Sequence, residues 1–150
     1  DLRMSRGLGD VYKRQVKYSK KDETFIRKYV YSDEAGVAAI TGRTVEEQHK
    51  IACACENNLY IFTNGNNEII GSVVLREKDD TLDVVELFIK KELRRSENGS
   101  KFLDEIEKMA ADEGFARITI PEGDNWHTHT FCYRRGYTKS AVQGEMEKIL

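Results

Sequence analysis

Proline is nearly absent: Pro121 is the only one in 150 residues, and the eleven glycines follow no repeat. Collagen-like architecture is excluded, and no low-complexity linker or internal repeat divides the chain. Cysteine is scarce and odd in number, three residues without a CxxC pair, so no disulfide framework is expected. No apolar run approaches the roughly 18 residues of a membrane span, and no secretory h-region is present. The expectation is a protein of the cytoplasm, without membrane partners. Neither sign of charge dominates: 24 basic side chains face 26 acidic ones, and a net charge of −2 gives no general reason to expect nucleic acid.

What is present suffices for one core. Hydrophobic residues make up 39% and charged residues 33%, with seven Tyr, six Phe and one Trp. A chain of this length folds as one domain and buries about two thirds of its unfolded surface. The first 23 residues are set apart. Within Asp1 to Gln15, which has no helical or strand period, Asp10 to Gln15 resembles translated sequencing-adapter sequence. Val16 to Glu23 is a charged approach, so 1–23 is read as a non-native or disordered leader and 24–150 as the domain.

From Thr24 the pattern becomes regular. Phe25 to Tyr31, rich in β-branched and aromatic residues, predicts a strand. Ser32 and Asp33 offer caps for a helix that ends at Gly42. Thr44-Val45-Glu46-Glu47 is a capping box opening a second helix to about Glu56. Strands follow at Leu59–Phe62, Ile69–Arg76 and Leu82–Ile89, joined by Asn64-Gly65, read as a tight turn with positive φ, and by Asp79-Asp80. Gly71 reads as a bulge. Phe102, Leu103, Ile106, Met109 and Ala110 recur at helical spacing up to Gly114. Ile118–Ile120 is a short strand, Asn125–Arg135 a polar helix, and Tyr137–Leu150 a last strand pair. The order predicts an α/β domain with a mixed, mostly antiparallel central sheet and helices on both faces.

The chemistry concentrates between Leu87 and Ser100. An apolar strand leads through a polar loop carrying Arg94 and Arg95 into an amphipathic helix. A helix N-terminus presents unpaired amides and the positive end of a dipole, which suits a phosphate. The local residues by themselves favour an ordinary strand-to-helix loop.

From about Thr24 to Leu150 the chain resembles the GCN5-related N-acetyltransferases, the GNAT family. The family's loop pattern is Arg or Gln, two residues, Gly, one residue, then Gly or Ala; here Arg94, Glu97 and Gly99 hold those places. Asn64 to Gly71 resembles the family hairpin, Phe131 to Tyr137 its helix end, and Glu145 to Leu150 its last strand. The resemblance implies acetyl-CoA bound along the strand ending at Ile89, with backbone groups of Phe88 and Ile89 pairing with the pantetheine arm. Amides of Arg95, Ser96, Glu97, Asn98, Gly99 and Ser100 would receive the pyrophosphate, with charge from Arg94 and Arg95. Asn125 would hydrogen-bond the cofactor, or serve as a simple N-cap. Glu97 departs from the pattern by placing a carboxylate in the loop.

The implied reaction moves an acetyl group to a primary amine of a small molecule or peptide. Asp83, eleven residues before Arg94, matches the family's basic carboxylate, while Glu86 falls on the opposite face by simple alternation. Cys132 stands where the family has its acid tyrosine, its other reading being a small buried apolar residue, and Tyr133, about 100° round the helix, is a substitute. Acceptor contacts would come from loops around Gly42 and Asp124 to Thr130. The alternatives are a non-catalytic acyl-CoA-binding or interaction module of the same fold, and a metal- or nucleic-acid-binding protein. Metal is disfavoured because His127 and His129 face different ways on a helix. Cys53 and Cys55 read as packing residues, and the assembly as monomer or homodimer.

Overall fold

The structure, a computed structural model, describes residues 20–55, 58–94, 98–122 and 129–150. Its strands are β1 (Phe25–Lys28), β2 (Leu59–Thr63), β3 (Ile69–Lys78), β4 (Thr81–Ile89), β5 (Arg117–Pro121), β6 (Thr138–Lys139) and β7 (Glu145–Ile149). The helices are α1 (Glu34–Thr41), α2 (Val45–Cys55), α3 (Asn98–Asp112) and α4 (His129–Arg134). Among the described residues the strands form one sheet in the order β1-β2-β3-β4-β5-β7-β6. Only β4 and β5 run parallel. The expected mixed, mostly antiparallel α/β fold is what the chain adopts.

Helices cover both faces. On one, Phe102, Leu103, Ile106 and Ala110 of α3 are buried against Val73, Leu75, Leu82, Val84, Leu87 and Ile89. Burial of each large side chain there stabilises by about 1.5–3 kcal/mol. Val37 and Ala38 of α1 and Leu59 and Ile61 of β2 are buried too but stand outside that cluster. Leu59 and Ile61 pair with Val74 and Ser72, the residues of β3 that alternate away from α3.

Local chemistry explains most boundaries. Thr44 and Glu47 close the capping box reciprocally, at 2.8 Å to the Thr44 amide and 3.1 Å to the Glu47 amide. Gly42 ends α1 and Gly114 follows α3, both at positive φ of 75° and 86°. Three expectations need correction. β1 stops at Lys28, because Asp33 does not cap α1; its carboxylate turns back to accept from the Val30 amide and, twice, from Arg27, each at 2.8 Å. Burial alone would push the Asp33 carboxyl up, but these bonds outweigh it and hold it below its ordinary value. The hairpin after β2 is a five-residue loop with its positive φ at Asn67 (62°), and the Asn64 Oδ1 accepts from the amides of Asn66 and Glu68.

Gly65 is required by approach instead of by φ. A Cβ there would lie 2.0 Å from Glu23 Oε1 and 2.7 Å from the Lys20 carbonyl. Lys20–Glu23, assigned above to the leader, thus docks on the hairpin, and Lys101 of α3 donates to the Asp22 carbonyl at 2.6 Å. Gly71 sits beside a bulge: Phe62 pairs with Gly71 and Thr63 with Ile69, leaving Ile70 extra. A Cβ on Gly71 would meet Phe102 Cε2 at 2.7 Å and the Phe88 carbonyl oxygen at 2.8 Å.

Candidate active site

β4 has two halves. Thr81, Leu82 and Asp83 pair in parallel with Arg117, Ile118 and Thr119, and there the ladder stops. Both strands continue, β4 to Ile89 and β5 to Pro121, without pairing to each other. A gap opens between them, and β4 presents a free edge to it.

The register says which peptide groups face that gap. Lys90 donates its amide to the Ile70 carbonyl at 2.9 Å. Hydrogen-bonded pairs alternate along an antiparallel ladder, so Phe88 bonds β3 opposite Ser72, while Ile89, opposite Gly71, directs its amide and carbonyl away from β3. Of the two peptides expected to pair with a pantetheine arm, geometry offers Ile89 and commits Phe88 to the sheet. The Ile89 carbonyl accepts from Arg94 Nε at 2.8 Å, and the Arg94 guanidinium lies 4.8 Å from the centroid of the Phe88 ring. Arg94 therefore folds back on β4 instead of extending toward the helix. Asn98, Gly99 and Ser100 form the first turn of α3, where amides lack intrahelical acceptors. Arg95, Ser96, Glu97 and Asn125 lie outside the described residues, as do His127 and Asp124.

A second bulge governs the side chains. Val74 pairs with Glu86 and Leu75 with Val84, so Val85 is the extra residue. Simple alternation would separate Asp83 from Glu86. The bulge resets the count: Leu82, Val84, Leu87 and Ile89 all join the core under α3, and Asp83 and Glu86 share the other face. This corrects the expectation for Glu86.

The two carboxylates have different surroundings. Asp83 is buried; its Oδ1 accepts from Thr119 Oγ1 at 2.8 Å and its Oδ2 from Arg76, its cross-strand neighbour. Glu86 is exposed and opens on a cleft of about 720 Å³. Val74, Val85 and Pro121 line the cleft at the parting of the strands, with Ile51 and Cys55 of α2 opposite. Arg43, the residue after Gly42, reaches in to the Glu86 carboxylate at 3.3 and 3.4 Å and to Gln48 Oε1 at 3.1 Å. Arg43 had no motif to mark it, beyond its place in the loop expected to touch the acceptor.

Cys132 belongs to the core under α3 and is fully buried, and burial pushes its thiol up to about 11. An acid that weak transfers a proton uphill to a thiolate whose conjugate acid lies near 8.5. The structure places Cys132 as a packing residue and gives the expected proton-donor role no access. Tyr133 is half exposed. Tyr137 is buried, and burial together with its 2.7 Å hydrogen bond to Glu107 raises its phenol far above the ordinary value.

The family model for the acetyltransferase (GNAT) family matches residues 20–137. The chain belongs to the GNAT acetyltransferase family. Solved structures agree on the fold of this GNAT domain. It covers 85% of its own length and 99% of the PaiA N-acetyltransferase from Thermoplasma acidophilum in complex with coenzyme A, at 17% identity and a TM-score of 0.63. Against the ribosomal-protein-S18-alanine N-acetyltransferase from Escherichia coli, identity is 12%, the TM-score 0.65, and coverage 84% and 93% of the two chains. The N-acetylglutamate synthase from Neisseria gonorrhoeae, complexed with coenzyme A and N-acetyl-glutamate, gives 16% and 0.63, over 85% of this chain and 35% of that one. No curated protein matches this sequence. Membership implies acetyl-CoA-dependent acetyl transfer.

Proposed function

We propose that this GNAT domain transfers the acetyl group of acetyl-CoA to a primary amine of a small molecule or peptide, by direct attack. The observation that carries the reading is the parting of β4 and β5 beside a cleft that holds a carboxylate. The edge of β4 at Ile89, where no strand pairs, offers its amide to an extended amide-bearing arm, and its carbonyl too once Arg94 releases it. The first turn of α3 accommodates the pyrophosphate. When bound, acetyl-CoA supplies an activated thioester.

The chain's own residues do the rest. An amine enters the cleft as an ammonium ion. Glu86 takes its proton directly or through one water, and the neutral nitrogen attacks the carbonyl carbon. Collapse of the tetrahedral adduct breaks the C–S bond as the nitrogen gives up its second proton and the thiolate leaves as the thiol. Glu86 is favoured over Asp83 because Asp83 is buried and held by Arg76 and Thr119 inside the sheet, whereas Glu86 is exposed on the cleft, with Arg43 at the longer distances of 3.3 and 3.4 Å. Arg43 holds the Glu86 carboxylate in place. Of the two expected proton donors, Tyr133 is the one with access to solvent.

Calorimetric titration with acetyl-CoA and then CoA tests the first half, and release of free thiol across a library of amines tests the second. Binding followed by amine-dependent thiol release supports the enzyme. Binding with no turnover on any amine supports a non-catalytic acyl-CoA-binding module, and absence of binding overturns both.

A further inference from the structure

A second constellation stands on the helices away from the gap. His49 and Cys53 lie four residues apart on α2, on one face of the helix. The Cys53 Sγ is 3.6 Å from His49 Nε2, and His49 Nδ1 is 2.8 Å from Oε2 of Glu34, the first residue of α1. Cys53 is exposed, whereas the Glu34 carboxylate is only 10% exposed and so holds a fixed position. The carboxylate is an acceptor, which assigns the ring proton to Nδ1 and leaves the lone pair on Nε2, facing the thiol. Glu34 and Cys53 address opposite nitrogens of the ring and do not converge on one point. The geometry is a relay, not a metal cage.

We propose that Cys53 is a modification site: a nucleophilic thiol, with His49 as base and Glu34 orienting that base, which exchanges with low-molecular-weight disulfides. Nucleophile, base and a third group that fixes the base are the arrangement that activates cysteine. The thiol proton passes to His49 Nε2 as the Cys53 sulfur attacks one sulfur of the disulfide. The Cys53 S–S bond forms, the original S–S bond breaks, and the released thiolate takes the proton back from the imidazolium. The other two cysteines are less accessible than Cys53. Burial first, and then the Glu86 charge, holds the Cys55 thiol up, and Cys132 is sealed in the core. The reading of Cys53 as a packing residue is thereby corrected, and the proposal stands independently of acetyl transfer.

Oxidised glutathione is the probe. The folded full chain is incubated with it at neutral pH, quenched with acid and mapped by mass spectrometry. Cys53 acquires the glutathionyl group at least ten times faster than Cys55 or Cys132, and dithiothreitol removes it. His49→Gln slows Cys53 at least tenfold, while the Cys55 rate in the folded variant stays put. Glu34→Gln slows it by a smaller factor, about threefold. Equal rates at Cys53 and Cys55, or an unchanged Cys53 rate in His49→Gln, overturns the proposal. Should Glu34→Gln fail to fold, the His49→Gln comparison decides alone.

Discussion

Residues Thr81 to Asp83 and Val84 to Ile89 belong to one strand, yet only the first three have a strand on each side. In that closed half a carboxylate serves the sheet: Asp83 ties β3 to β5 through Arg76 and Thr119. In the open half no strand pairs with the outer edge of β4, where the Ile89 carbonyl accepts from Arg94, and Glu86 meets a cleft. Two acidic residues three positions apart, on the same face, are set to different tasks by whether the neighbouring strand has parted. A carboxylate buried inside the sheet cannot reach an amine; one at the mouth of a cleft can meet it directly or through one water.

The largest effects test that division directly. Glu86→Gln lowers kcat by about 10²- to 10⁴-fold with the acetyl-CoA KM unmoved. Asp83→Asn lowers the melting temperature and changes kcat less than tenfold. Reversed results in steady-state kinetics would return the base to the closed half. Next comes Gly71→Ala, at the rung opposite Ile89. Its Cβ meets the Phe88 carbonyl and Phe102, so it costs about 1–3 kcal/mol and shifts the open half of β4, weakening acetyl-CoA in calorimetry. A destabilised variant with unaltered affinity would show that the edge does not hold the cofactor.

Smaller still is Cys132→Ala, which removes one buried sulfur for about 1–2 kcal/mol and leaves kcat within twofold. Its thiol is raised in the folded state, so it contributes stability below the ordinary value of 9.0 that is lost as pH rises toward about 11. Chemical denaturation at pH 8 and pH 11 therefore shows a larger drop in the parent than in Cys132→Ala, which keeps only the part due to groups such as Tyr137 and Cys55. The smallest effect is expected at Asp33, remote from both halves. Its carboxyl is lowered, so its contribution is present at neutral pH and lost on acidification below about 4. Asp33→Asn costs about 1–2 kcal/mol at pH 7, progressively less as the pH falls below about 4, and nothing in kcat.

Elements whose cause is local were legible in the sequence. The capping box at Thr44, the stop at Gly42, the apolar stripe of α3 and the β4 segment follow from neighbours within four residues. Asp33 was misjudged as a cap because its partner Arg27 sits on β1, where only folding brings the two together. The Asn64-Gly65 turn was located but not its form, since Gly65 answers to the Lys20 carbonyl and Glu23 packed against it.

By itself the sequence determined the order of elements, the family, and the stretch from Leu87 to Ser100 where strand passes to helix. It did so because hydrophobic period and capping chemistry are written in adjacent residues. Tertiary structure decided which carboxylate opens on the cleft, that Cys132 packs, and that Cys53 faces a histidine held by Glu34. Each depends on a relation between segments. One extra residue at Val85 turns every later side chain of β4 to the other face, and nothing in its own side chain announces it. Burial and base proximity likewise belong to the packed helices and sheet, and no spacing along the chain encodes them.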